Sequence, residues 1–285
     1  MSKDTYIIIP VYNRKAITLQ CLKMLKNTGD LDRYQVAIVD DGSTDGRREM
    51  LEQYYPQVMV LPGDGNLWWT GAIAKGMTYA YDRGAKHFFW LNDDCIPESN
   101  TLSQLVEFMQ ANPDTIVAPT CYNPDTHRVE DNGFQGRTSC AATPGEVREV
   151  DGVCGWCVGI PRSVFSKIGA PDARKFPQYS GDDTYTLRAT RAGFKVCLLG
   201  DAKVTLAGGV RVTHHFDYYI KPGKSARTTL TNLFLSKKSP YYLPTKFYYY
   251  TERYGLAIGM LMFMTKIGTW LPRWMQIQFK LKASI

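Results

Sequence analysis

No uncharged run in this chain is long enough to cross a bilayer. The stretch from Tyr254 to Thr265 has 12 residues, against the roughly 20 that a spanning helix requires. No apolar leader follows Met1-Ser2-Lys3-Asp4-Thr5, which runs straight into a strand-like segment, so the expected location is the cytosol. Cysteine is too sparse for a disulfide framework: seven, an odd number scattered from Cys21 to Cys197, fit reduced thiols. Cys154-Gly-Trp-Cys157 has the spacing of a redox or zinc pair. It lacks both the early strand-to-helix context of the first and the second pair of the other, so it reads as two small side chains in a glycine-rich loop. The first strand-to-helix turn holds no glycine, which excludes a dinucleotide fingerprint, and no Gly-Lys-Ser/Thr follows a strand, which excludes a P-loop.

What is present is an ordered globular composition, 44% hydrophobic and 21% charged over 285 residues, enough for one large domain or one and a half. Charge is unevenly placed. From Arg211 to the end there are 12 basic and 2 acidic residues, a balance of +10, which leaves −3 for residues 1 to 210 of the total +7. The same tail holds 15 of the 36 aromatic residues in 75 positions, so its surface is expected to meet something anionic or interfacial.

In the first half, the apolar runs Tyr6 to Ile9, Val36 to Val39, Val58 to Leu61 and His87 to Leu91 alternate with segments of helical spacing: Ile17 to Leu25, Met50 to Tyr54, and Ile73 to Ala80. This alternation predicts an α/β fold with a parallel sheet covered on both faces. Ligands of such sheets bind beyond the carboxyl ends of the strands. Those ends are rich in polar and special residues: Pro10 to Arg14, Asp40 to Gly46, Gly63 to Asn66, and Asn92-Asp93-Asp94. Asp41, Ser43, Asp45, Gly46 and Glu52 match calcium-loop spacing, but Arg48 holds a normally apolar position and a β-branched run precedes the loop, which excludes that reading. Asp40 and Asp41 suit hydrogen bonds to a base or ribose, and the carboxylates of the Asn92 triplet suit a divalent cation that bridges a diphosphate.

Ile8-Ile9-Pro10-Val11-Tyr12-Asn13, Val39 to Gly46 and Leu91 to Asp94 together resemble the nucleotide-sugar half of family 2 glycosyltransferases of the GT-A fold. Gly65-Asn66-Leu67-Trp68-Trp69-Thr70-Gly71 is similar to the version in bacterial rhamnosyltransferase-like members that build surface polysaccharides. The similarity extends through Phe176 to Asp183, Leu187-Arg188 and Ala192 to Phe194. It implies a GT-A domain over residues 1–215, with a nucleotide-sugar-binding half over about 1–97 and an acceptor half over 98–215, its Rossmann-like, mainly parallel sheet flanked by helices. Residues 216–285 then form a C-terminal helical extension.

Carried over residue by residue, the resemblance implies that Pro10, Tyr12, Asn13, Arg14, Asp40, Asp41, Asn66, Trp68, Lys75, Asn92 and Asp93 bind the donor. Asp94, with His214 or His215, would hold Mg2+ or Mn2+, since Asn stands at the first position of the family's D-x-D pattern. Asp182 or Asp183 is the implied catalytic base, with Asp182 favoured because it follows Gly181 directly; an N-terminal cap is the other role open to Asp183. Gly155 and Trp156 stand in the loop beneath the acceptor, where Trp156 either stacks on a sugar or belongs to the core.

In the tail, Met260, Phe263, Met264, Ile267, Leu271 and Trp274 recur at helical spacing, interrupted at Pro272. The stripe either packs on the catalytic domain or a second subunit, giving a homodimer, or lies in a membrane interface on the inner face of the cell membrane. The expected activity is inverting transfer from a nucleoside diphosphate sugar to a hydroxyl of a glycan or lipid-linked acceptor, with no nucleic acid partner. Thymidine diphosphate rhamnose is the first expected donor, followed by uridine diphosphate galactose or galactofuranose. The rival readings are a sugar-phosphate nucleotidyltransferase, which would need a basic glycine-rich loop in place of Pro10 to Arg14, and a non-catalytic nucleotide-sugar or glycan-binding subunit.

Overall fold

The structure is a computed structural model that describes residues 4–207, 216–220 and 223–283. Its first half runs β1 (Thr5–Val11), α1 (Lys15–Asn27), a single turn α2 (Asp30–Arg33), β2 (Gln35–Asp40), α3 (Arg47–Tyr54), β3 (Met59–Pro62), α4 (Trp68–Asp82) and β4 (His87–Leu91). β1 pairs in parallel with both β2 and β4, and β2 pairs in parallel with β3. The carboxyl ends of all four strands therefore open on one edge, as the sequence alternation predicts.

Burial on both faces follows from the side-chain period of two along a strand. In β1, Ile7, Ile9 and Val11 enter the core on one side, while Tyr6 and Ile8 enter the core on the other. In β4, Phe89 and Leu91 go one way, Phe88 and Trp90 the other. Helix α4 lies so close to the sheet that a Cβ at Gly76 would sit 2.3 Å from Ile8 Cγ2.

The second half adds β5 (Cys95–Pro97), α5 (Thr101–Ala111), β6 (Thr115–Tyr122), β7 (Val129–Glu130), β8 (Gly133–Gln135), β9 (Thr138–Cys140), β10 (Val147–Glu149), β11 (Gly152–Val153), β12 (Cys157–Pro161), α6 (Arg162–Ile168), α7 (Gly181–Arg191) and β13 (Lys195–Leu206). The large sheet has the order β10-β13-β6-β12-β4-β1-β2-β3. Strand β12 is inserted antiparallel between β4 and β6. It brings the loop before it, Cys154 to Trp156, to the same edge as the end of β4.

Beyond β13 the chain forms a 3-10 turn (Phe216–Tyr219), α8 (Ala226–Leu230), a π turn (Thr231–Leu235), α9 (Leu243–Tyr254) and α10 (Leu256–Ala283). Sequence reading expects a break at Pro272, yet α10 runs through it. A proline inside a helix removes one backbone donor and bends the axis without ending it when packing holds both sides. Trp270, Trp274 and Ile277, which bracket it, all pack against the cluster of Phe216, Ile220, Leu233 and Phe234.

Candidate active site

At the carboxyl edge lies a cleft of about 490 Å³, lined by Pro10, Tyr12, Arg14, Asp41, Gly65, Trp68, Trp69, Gln178, Tyr179 and Lys238 among others. One carboxylate builds its wall. Asp41 Oδ1 accepts the backbone N–H groups of Gly65 (2.9 Å) and Leu67 (3.1 Å), and Oδ2 accepts that of Trp68 (2.9 Å). Buried Asp41 thus ties the turn after β3 to the end of β2, and it holds Trp68 with φ 58° at the mouth of α4. The indole N–H of Trp68 is buried without a hydrogen-bond partner among the described residues. An unmade bond of this kind costs on the order of 1 to 3 kcal/mol, which a polar ligand can recover.

On the other side of the cleft, Arg14 reaches both acids after β4, donating to Asp93 Oδ1 and, at 2.9 Å, to Asp94 Oδ2. Asp93 is buried, which pushes its carboxyl above the ordinary range against the pull of Arg14, and Thr18 donates to its second oxygen at 2.9 Å. Thr18 in turn accepts from Arg47 at 3.2 Å, and Arg47 is clamped by Asp45 at 2.8 and 3.0 Å. The Arg47 guanidinium holds the Asp45 carboxyl down to about 2. This chain of bonds fixes the loops after β1, β2 and β4 to one another. Asp93 serves that frame, whereas Asp94 is partly exposed and its Oδ1 accepts no hydrogen bond from any described residue.

Among the described residues no three ligating side chains converge. A magnesium- or manganese-like ion is commonly held by one or two carboxylates plus substrate phosphates, and the open oxygen of Asp94 fits that donor set. His214 and His215 lie outside the described residues.

The acid pair opens α7. A Cβ at Gly181 would sit 2.2 Å from Thr70 Oγ1, so α7 begins hard against α4, and Asp182 and Asp183 occupy its first turn. The N-cap position is Ser180, which makes no side-chain cap bond. Asp182 Oδ2 accepts the N–H of Gly155 at 2.6 Å. Burial raises the Asp182 carboxyl, while that N–H bond favours its charged form. For Asp183, burial and then the neighbouring Asp182 push the pKa up to about 7, against the opposing pull of Arg253 and Lys246.

Sequence reading missed the residue that joins the acids to the cleft. Trp69 donates from Nε1 to Asn92 Oδ1 at 2.7 Å, and its ring leaves no room for a Cβ at Gly155, 2.5 Å away. Its backbone N–H points to Gln178 Oε1 at 3.3 Å, and its ring meets Trp90 edge-on at 5.6 Å. Asp182, Gly155, Trp69 and Asn92 are thereby one packed unit. The Trp68-Trp69 pair carried a signal for it, but only the first member was singled out.

Also missed were Lys246, Tyr249 and Arg253, one face of α9, which bear on Asp183 from the tail. Arg253 is spent on Tyr249 Oη (2.7 Å) and the Gly136 carbonyl (2.6 Å), with its guanidinium 4.0 Å above the Phe134 ring. The Lys246 ammonium has no hydrogen bond among the described residues, and burial lowers its pKa against the pull of Asp183. No local pattern announced these residues, because folding joins them to α7 across about sixty positions of sequence.

The remaining expected residues make contacts within the fold. Lys75 donates to the carbonyl of Pro62, at the carboxyl end of β3. Asn13 joins loops, accepting from the Thr44 N–H at 2.9 Å while its own N–H reaches Ser43 Oγ at 3.0 Å. Asp40 accepts the Ser43 N–H at 3.1 Å, and the Asn66 N–H reaches Asp64 at 2.9 Å. Trp156 packs against the core, and its carbonyl accepts the Asn92 N–H at 3.0 Å.

The mixed sheet with helices on both faces and a cleft at its carboxyl edge is the architecture of the GT-A fold. The chain belongs to glycosyl transferase family 2, whose model matches residues 6–169. It is similar to a poly(ribitol-phosphate) beta-glucosyltransferase of Bacillus spizizenii, 25% identical over 260 residues that cover 87% of this chain and 32% of the relative. A glycosyltransferase AglE of Haloferax volcanii is 29% identical over 102 residues, 34% of this chain and 33% of that protein. The chain thus spans about a third of the length of these curated relatives.

Among solved structures, GalNAc-T7 with UDP, GalNAc and Mn2+ superposes with a TM-score of 0.61 at 14% identity, over 84% of this chain and 49% of that one. The mannosyltransferase PcManGT of Pyrobaculum calidifontis, in complex with GDP-Man and Mn2+, gives 0.56 at 16% identity, over 98% and 85%.

Proposed function

We propose that the chain transfers a sugar, with inversion, from a nucleoside diphosphate sugar to a hydroxyl of a glycan or lipid-linked acceptor in bacterial surface polysaccharide synthesis. The observation that carries this reading is that Asp182, bonded to the Gly155 N–H, packs against the same glycine as Trp69, which lines the cleft. In the proposed reaction the donor's diphosphate lies along Tyr12, Arg14 and Trp68, and its sugar points towards Trp69 and Asp182.

Asp182 removes the proton of the acceptor hydroxyl as its oxygen attacks the anomeric carbon. The bond from that carbon to the diphosphate oxygen breaks in the same step, so the configuration inverts. Arg14 neutralises charge on the departing diphosphate, and Lys238, 5.9 Å above the Trp68 ring, adds a second cation at the rim. Asp94 would hold a divalent ion, which would supply further charge neutralisation there. Asp183 faces α9, and burial beside Asp182 raises its pKa, which disfavours two full charges on the pair.

The relative that acts on poly(ribitol-phosphate) supports a polyhydroxylated polymer as acceptor. Thymidine diphosphate rhamnose remains the first donor to test, followed by uridine diphosphate galactose, galactofuranose and glucose. A thermal-shift panel with and without Mg2+ or Mn2+ identifies the donor, since a ligand at about 100 times its Kd stabilises by about 2.7 kcal/mol. The anomeric configuration of the product then tests inversion: retention would overturn the single-displacement reading, and no shift with any nucleotide sugar would favour a glycan-binding subunit.

A further inference from the structure

Helix α10 has two apolar faces, and only one of them is covered. Phe263, Ile267, Trp270, Trp274 and Ile277 form the seam that docks on α9 and the tail cluster, with Phe263 meeting Phe247 edge-on at 5.6 Å. Gly259 permits the close crossing, since a Cβ there would lie 2.4 Å from the Tyr250 carbonyl oxygen. About 120° further round the axis, by the helical period, runs a second stripe of Leu261, Met264, Leu271, Met275 and Phe279. These side chains touch no hydrophobic cluster and stand in solvent, Leu261 at 69% and Phe279 at 71% of full exposure. A helix of 28 residues is about 42 Å long, so the stripe is a contiguous strip far larger than scattered surface leucines require.

We propose that this outer stripe of α10 lies in the interface of an anionic bilayer, with the helix parallel to the membrane plane. Charge selects the occupant. α10 carries Lys266, Arg273, Lys280 and Lys282 and no acidic residue, and Lys224, Arg227, Lys237 and Lys238 are exposed on the segment that precedes α9. A second copy docked stripe to stripe would bring two wholly basic helices together with no carboxylate between them, whereas an anionic leaflet complements both the apolar strip and its basic flank. No described helix is long and apolar enough to cross a membrane, which agrees with a helix that lies flat. The stripe read from the sequence mixes the two faces: Phe263 and Trp274 belong to the docked seam, Met264 and Leu271 to the free strip.

Co-sedimentation of the full chain with vesicles of phosphatidylglycerol and phosphatidylcholine, or of phosphatidylcholine alone, tests this at low and high salt. The wild-type chain should pellet with the anionic vesicles, pellet much less with neutral ones, and be partly released by salt. The triple variant Leu261→Ser, Leu271→Ser, Phe279→Ser should lose roughly tenfold or more of that binding while keeping its melting temperature and monomeric mass. Failure of the wild-type chain to pellet at low salt, or equal pelleting by the variant, would overturn the proposal. A dimer that the triple variant splits would assign the stripe to a second copy, and a large fall in melting temperature would assign it to packing within the fold; either result overturns it too.

Discussion

At the residue scale, the acid pair sets the pH behaviour. Asp183 is raised to about 7 by burial first and by Asp182 second. Its stabilising effect on the fold is therefore complete below the ordinary carboxylate range, and it is lost as the pH rises through about 7, where the unfolded chain has already released that proton. Melting temperatures measured from pH 4.5 to 8 should fall for the wild-type chain and fall less for Asp183→Asn; parallel curves would remove Asp183 as the cause. Lys246 opposes the shift, so Lys246→Met should push the rising limb of the pH–rate profile upward by about one pH unit. An unmoved midpoint would show that Lys246 does not act on the pair.

Asp94 bears on the other half of the chemistry. Its free oxygen predicts that Asp94→Ala abolishes any metal-dependent part of donor binding in a titration with and without a chelator. Wild-type binding that is indifferent to the chelator would leave charge neutralisation to Arg14 and Lys238.

At the element scale, the turn between β3 and α4 depends on one side chain. Three backbone N–H groups converge on Asp41, so Asp41→Ala leaves them without their partner and should cost about 2 to 3 kcal/mol in chemical denaturation. It should also weaken nucleotide-sugar binding, because Trp68 and Gly65 lose their anchor; unchanged stability would show that the turn holds itself. The sequence predicts Asp41 at this edge from its place after an apolar strand, but not which partner its carboxylate meets. Strands β1, β2 and β4 were legible because their apolar runs are short, bounded and aligned with turn residues. The antiparallel insertion of β12 was not, because a buried run reads the same in either direction. For the same reason Pro272 reads as an interruption: local propensity is visible in the sequence, while the aromatic cluster that holds α10 on both sides of it is assembled from distant segments.

At the scale of the whole molecule, the tail is part of the site. Lys175 bonds Glu252 at 2.7 Å, Thr245 bonds the Lys175 carbonyl at 2.9 Å, and Arg191 reaches the carbonyls of Glu252 and Arg253. These bonds tie α9 to the loop before α7 and to the last residue of α7, and Lys238 lines the cleft. The resemblance implies a boundary between residues 215 and 216, and composition changes near residue 211, but composition says nothing of where a segment folds back.

The central claim is that Asp182 deprotonates the acceptor beside a donor held along Arg14 and Trp68. The measurement that tests it most directly compares wild type with Asp182→Asn in both nucleotide-sugar binding and sugar transfer. The variant should bind donor with unchanged affinity and lose roughly 100-fold or more in turnover, with Asp183→Asn losing less. Near wild-type transfer by Asp182→Asn would contradict the claim.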